Sequence, residues 1–228
     1  MHNLPTLPPG TIVNLRMLSD QLHLAPAADD EIYAAILRHG MPHQNWFPAM
    51  ADRIPAGGQI VDCGAFIGDN TQQFCQMGFE TTAIEPFFDA FVCLCYNSPK
   101  STNILAVVGD GRRFTVVDEP YGPTRNHGMR YVKLDDAGQP SLRIDDLGLK
   151  RLDLLKIDVE GSEIYALDGA ADVIRTFKPI LFVESYDLNL GRQGFTPQDL
   201  EDKLKTFGCK MQRSCDSPVL WDWICTWE

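Results

Sequence analysis

Apolar residues recur along this chain in two alternating rhythms, and the alternation predicts a parallel sheet covered by helices. QIVDC (59–63) is a short apolar run entering a glycine turn, and TQQFCQMGF (71–79) follows with Phe74 and Met77 at helical spacing. TTAIE (81–85), PFFDAFVCLCYN (86–97) and ILAVV (104–108) repeat strand, helix, strand, with Pro86 suited to the helix's first turn. LDLLKID (152–158), a helix over EIYALDGAADVIRTF (163–177), PILFVES (179–185) and a helix in PQDLEDKLKTFG (197–208) add two more units. Strands separated by helices imply parallel pairing with right-handed crossovers.

Three stretches depart from that rhythm. RRFTVVD (112–118) and MRYVKLD (129–135) read as a β-hairpin inserted over one sheet edge, and KMQRSC with WDWICTW read as a closing pair of strands. Residues 1–28, with Pro5, Pro8, Pro9 and Pro26, predict an extended or loosely packed arm. A helix follows in EIYAAILRH (31–39), capped by Asp29 or Asp30, with Ile32, Ala35, Ile36 and His39 on one stripe. Met41 to Phe47 can form a cofactor lid, or Trp46 and Phe47 can seal the sheet edge. Residues 1–57 are thus an arm and helix, and 58–228 the main domain.

Composition narrows the class. A net charge of −11 argues against nucleic acid as substrate, since a phosphate backbone calls for clustered Lys and Arg. No apolar run approaches the roughly 20 residues that span a bilayer, and no basic segment followed by an apolar one opens the chain, so it reads as cytoplasmic with no membrane partner. A folded monomer or homodimer is expected. Seven cysteines without a CxxC pair favour reduced core thiols over zinc or disulfides.

The chemistry gathers at strand ends. In Asp62-Cys63-Gly64-Ala65-Phe66-Ile67-Gly68 the two glycines let backbone approach a ligand, and Asp62 can accept from a cofactor's amino group directly or through water. A dinucleotide fingerprint would place a second glycine where Phe66 stands. Glu85, ending the next strand, lies about 20 residues on, the separation at which an acid reaches ribose hydroxyls. Asp110 is a candidate for an adenine amino group, or else a turn aspartate in its Gly-Asp-Gly bend. Asp158, Glu160 and Glu163 leave the next strand together, and Glu184 with Asp187 leaves its neighbour. Convergent acids there can hold magnesium, with Asp158 and Glu184 as its ligands, or one can act as base toward a hydroxyl. Glu160 and Glu163 can instead serve the following helix's positive end. His127 is a reserve base if its loop covers the substrate, with solvent exposure the plainer alternative. Arg125 and Arg130 can grip an acidic substrate group.

On these residues the chain resembles the FkbM family of S-adenosylmethionine-dependent methyltransferases over roughly 58 to 210. IVDCGAFIGDNT resembles the family's cofactor loop, Glu85-Pro86 its second-strand ending, and the segment reaching Asn97 its following helix. RIDDL (143–147) is similar to its acidic motif, LLKIDVEGSEIYALDGA to its most recognisable block, and ILFVES to its fifth strand. The resemblance implies an α/β class I methyltransferase fold, Rossmann-like, with a seven-stranded, mostly parallel sheet ending in an antiparallel strand. It also implies O-methylation of a small molecule or carbohydrate; joined to the residue readings, the expectation is S-adenosylmethionine held by Asp62, Gly64, Ala65, Phe66, Gly68, Glu85, Pro86 and Asp110, with Asp158, Glu184 and His127 at the acceptor. A nicotinamide- or flavin-dependent oxidoreductase and a non-catalytic cofactor-binding scaffold are the rival readings.

Overall fold

The computed structural model describes residues 14–18, 21–25, 47–118 and 126–227. Its centre is a seven-stranded sheet built from β3 (Gln59–Cys63), β4 (Glu80–Glu85), β5 (Thr102–Leu105), β9 (Leu154–Ile157), β10 (Ile180–Tyr186), β11 (Lys210–Arg213) and β12 (Leu220–Thr226). The order is β11-β12-β10-β9-β3-β4-β5. Strands β5, β4, β3, β9 and β10 run parallel, and β12 lies antiparallel to both β10 and β11. This is the predicted sheet with its closing pair.

Neighbouring residues on each strand feed opposite layers, because side chains alternate across a sheet. Val61, Leu155, Leu181 and Val183 pack with Leu167, Ile174, Leu200 and Leu204 on one side. Ile60, Leu154 and Phe182 pack with Phe47, Met50 and Phe74 on the other. Helices thus cover both faces: α1 (Pro48–Ala51), α2 (Asp69–Gln76), α3 (Phe88–Asn97), α4 (Glu163–Asp168), α5 (Ala171–Phe177), α6 (Asp187–Arg192) and α7 (Pro197–Lys205). With both faces buried, β9 needs no polar alternation, and LLKI is enclosed throughout.

Several elements differ from expectation. The described part of the N-terminal arm is a hairpin of β1 (Asn14–Leu18) with β2 (Gln21–Ala25), which the apolar alternation of NLRML and QLHLA fits better than the prolines around it. The expected helix over 31–39 and Met41 to Trp46 of the candidate lid lie outside the described residues. Phe47 belongs to the core, its ring 4.4 Å from that of Phe74. The insertion has three strands rather than two: β6 (Arg113–Val117) lies between β7 (Tyr131–Leu134) and β8 (Gln139–Pro140). Pro86 precedes α3 instead of opening it, with Phe87 as the N-cap residue.

The single helix expected over 163–177 is two, divided at Gly169-Ala170. A Cβ on Gly169 would lie 1.9 Å from the Gly109 carbonyl oxygen, so only glycine allows that approach. The new helix start is capped from a distance, since Asp145 Oδ1 accepts from the Asp172 and Val173 amides at 3.1 and 3.0 Å. The acidic motif 143–147 therefore has a structural task. Asp145→Ala is expected to lower stability by about 1 kcal/mol, as for loss of a helix cap, read from the midpoint of urea denaturation.

Candidate active site

Chain direction across the sheet reverses between β3 and β9, since β4 and β5 extend one way and β10 and β12 the other. A crevice at the carboxyl ends of the strands around such a point is where open α/β sheets bind ligands. A cavity of about 280 Å³ lies there. Its walls come from the turn after β3, the end of β4, the segments after β5 and β9, and the end of β10. Asn126 to Val132 of the insertion complete it.

The turn after β3 is held by its packing. Gly64 adopts φ +77°, and a Cβ there would lie 1.7 Å from the Asp158 carbonyl oxygen, so the turn presses against the end of β9. The Gly64 and Ala65 amides both donate to the Ile84 carbonyl at 3.0 and 3.1 Å. Phe66 holds a left-handed backbone with φ +48°, and its amide donates to Glu85 Oε2 at 2.9 Å. The other Glu85 oxygen accepts from the Phe87 amide, also at 2.9 Å, so both sides of the carboxylate are fixed at the end of β4.

The candidate cofactor residues divide accordingly. Gly64, Phe66, Glu85 and Pro86 line the cavity. Ala65 packs behind the turn with Ala83 and Leu94, and a Cβ on Gly68 would meet Leu94 and Ser98. Asp62 lies outside the cavity lining and is fully buried, its Oδ2 accepting from Thr71 Oγ1 at 2.6 Å and its Oδ1 lying 3.3 Å from Lys156 Nζ. Asp110 turns to Arg112 at 2.8 Å, away from the cavity, where Val107 and Val108 stand instead. Among wall residues that sequence reasoning missed are Asp69 and Asn70 at the start of α2, and Asn189. Asn70 is buried, and its Oδ1 has no hydrogen-bond partner among the described residues.

Beside that turn, the neighbouring ends of β9 and β10 bring Asp158, Glu160 and Glu184 together in the cavity lining. Lys156, buried in β9, reaches Asp158 at 3.1 Å and the Gly64 carbonyl at 3.4 Å. Burial opposes its charge, yet the Asp158 and Asp62 carboxylates outweigh that and hold the ammonium above its ordinary range. Burial, then the nearby Asp158 carboxylate, pushes Glu160 and Glu184 well above the usual carboxylate range. Glu163 faces its own helix start, accepting from the Gly161 and Val159 amides at 3.0 and 3.2 Å.

The insertion wall is tied down at several points. Arg130 is buried, its guanidinium bonded to Asp89 and Asp118 at 3.0 and 2.8 Å and lying 4.2 Å from the centre of the Phe87 ring. It also lines the cavity. Arg192 of α6 donates to the Met129 carbonyl at 3.1 Å and covers Tyr131. His127 is buried in this wall and lines the cavity, rather than standing in solvent.

Burial pushes Glu85 up to about 7, although the Phe87 amide, Arg130 and the Phe66 amide oppose it, and burial pushes Glu163 to about 7. A raised carboxyl contributes stability that is complete below its unfolded value near 4.5 and is lost as the pH rises through about 7. The thermal midpoint is therefore expected to climb as the pH falls from about 8 to about 5.5. Glu163→Gln is expected to remove part of that slope, which a series of melts across this range would measure.

Among the described residues no helix is long and apolar enough to cross a membrane. No curated protein matches the chain. Its structure is similar to that of the FkbM methyltransferase of Methylobacillus flagellatus KT, at 20% identity and a TM-score of 0.50, over 74% of this chain. The match covers 43% of that protein, so the present chain spans less than half its length. A TehB-like SAM-dependent methyltransferase of Corynebacterium glutamicum is similar at 11% identity and a TM-score of 0.51, over 79% of this chain and 86% of that one. These likenesses identify the fold as that of class I methyltransferases. The model of the FkbM methyltransferase domain matches residues 62–215, more than half of the chain, which belongs to that family.

Proposed function

We propose that this chain transfers a methyl group from S-adenosylmethionine to a hydroxyl oxygen of a small molecule or carbohydrate. The observation that carries the reading is one cavity lined by the glycine turn and Glu85 and also by Asp158 and Glu184. The residues present suit the cofactor. Glu85 offers a fixed carboxylate for ribose hydroxyls, and Asn70 Oδ1 is an enclosed acceptor without a donor, suited to an ammonium or hydroxyl group. When bound, S-adenosylmethionine supplies a methyl group already activated by its sulfonium.

The protein's own contribution is then placement and proton removal. Gly64 and Phe66 shape the cofactor side, and Lys156 holds Asp158 beside that turn. Asp158 takes up the acceptor's proton, with Glu184 on the neighbouring strand end and His127 of the insertion wall as reserve. The side chain of Phe66 stands where a dinucleotide's pyrophosphate would need a bare backbone, which disfavours a nicotinamide or flavin enzyme.

A melting panel with S-adenosylmethionine, S-adenosylhomocysteine and NAD tests the cofactor, since a ligand specific to the native state raises its midpoint. The first two are expected to raise it and NAD to leave it unchanged; stabilisation by NAD alone would replace the reading. Release of S-adenosylhomocysteine with hydroxylated acceptors tests the transfer and excludes a purely scaffolding role.

A further inference from the structure

At the acceptor end of the cavity, one oxygen each of Asp158, Glu160 and Glu184 lies within 4.8 Å of the other two. Three carboxylates at that spacing repel one another when ionised, which a shared cation would relieve as protons do, and the nearby Lys156 ammonium is shared with the fully buried Asp62. Independently of the acids, Asn189 of α6 is 1% exposed and lines the same cavity. Its Nδ2 donates to Glu160 and, at 3.5 Å, to Glu184, while its Oδ1 is enclosed without a hydrogen-bond partner among the described residues. An enclosed amide oxygen left without a donor is unfavourable. A cation among the three carboxylates would supply positive charge, and turning the Asn189 amide would bring Oδ1 to it as a fourth oxygen.

We propose that Asp158, Glu160, Glu184 and the Asn189 Oδ1 form a site for a hard divalent cation. The donors are all oxygen, with no cysteine or histidine among them, which selects magnesium, manganese or calcium over softer metals. The site enlarges the Asp158 and Glu184 pair expected from the sequence. Its catalytic meaning rests on the methyl-transfer reading: a cation there would accept the acceptor's oxygen as a further ligand and favour loss of its proton. Acceptors offering two adjacent oxygens are the class this suits.

Manganese titrated into the full chain, followed by loss of the free-ion electron paramagnetic resonance signal, is expected to reveal one site per chain. Its Kd should fall at or below about 1 mM, the range of weaker protein sites for hard cations, and magnesium should compete. Glu160→Gln with Glu184→Gln should weaken binding at least ~10-fold, since the charge count at the site sets affinity. The glutamines remove repulsion, so this variant should melt no lower than the parent. Asn189→Leu tests the amide oxygen separately and should weaken binding several-fold. A manganese signal unaltered by millimolar protein, or full binding in the double variant, would overturn the site. S-adenosylhomocysteine titrated into the same samples reads the cofactor independently: its failure to bind beside intact manganese binding strikes only the methyl-transfer reading, and the converse strikes only the cation site.

Discussion

Replacing Glu85 by alanine is expected to weaken S-adenosylmethionine binding by about 100-fold or more. Each hydrogen bond from a ribose hydroxyl to a carboxylate contributes about 1.5–3 kcal/mol, and each 1.4 kcal/mol is tenfold in affinity. Two such bonds to one side chain therefore dominate what any single residue can supply. The carboxylate is already fixed between the Phe66 and Phe87 amides, so little ordering is left to oppose binding. Alanine would also leave those amides without their acceptor and loosen the turn carrying Gly64. Glu85→Gln, which keeps the size but not the charge, should lose about 10-fold, the typical cost of one charge-assisted bond. Because burial holds Glu85 at about 7, wild-type affinity should fall as the pH drops below that value, and the glutamine variant should not follow. Isothermal titration with the cofactor and its demethylated product checks all three outcomes. An unaltered affinity in Glu85→Ala would end the ribose assignment.

The strands that carry this site were legible because a strand buried on both faces reads as an unbroken apolar run, as in QIVDC and ILFV. Acids at their ends then fall at the ligand edge of a parallel sheet, which is why Glu85, Asp158 and Glu184 could be named from order alone. Elements governed by distant contacts were not legible. The strand expected over 104–108 ends at Leu105, because Val108 leaves the sheet to pair with Leu142. The split at Gly169 depends on the Gly109 carbonyl and the Asp145 carboxylate, neither of which marks the local periodicity. Nor does the sequence around Arg130 say that Asp89 and Asp118 will enclose it. Asn189 escaped notice for a similar reason: its meaning arises from Glu160 and Glu184, on two separate segments.

Lys156 places a charge inside an otherwise apolar strand, and it leads to the second large effect. Lys156→Met, which preserves much of the volume, is expected to destabilise the protein by about 3–5 kcal/mol, the typical result of removing one partner of a buried ion pair. The loss falls on Asp62, which has no solvent to turn to and, among the described residues, Thr71 as its other hydrogen-bond partner. Asp158 retains partial access to the cavity, so it suffers less. Adding Asp62→Asn should recover most of the stability, since the amide can still accept from Thr71 and no longer brings an unpaired charge into the interior. Urea denaturation of both single variants and the double distinguishes this from simple loss of packing, which Asp62→Asn could not repair. Cofactor titration of the double variant then isolates the remaining role of the ammonium, its contact with the Gly64 carbonyl. Recovered stability with weakened cofactor binding would show that Lys156 sets the turn as well as the charge balance. Recovery of both would confine its role to Asp62.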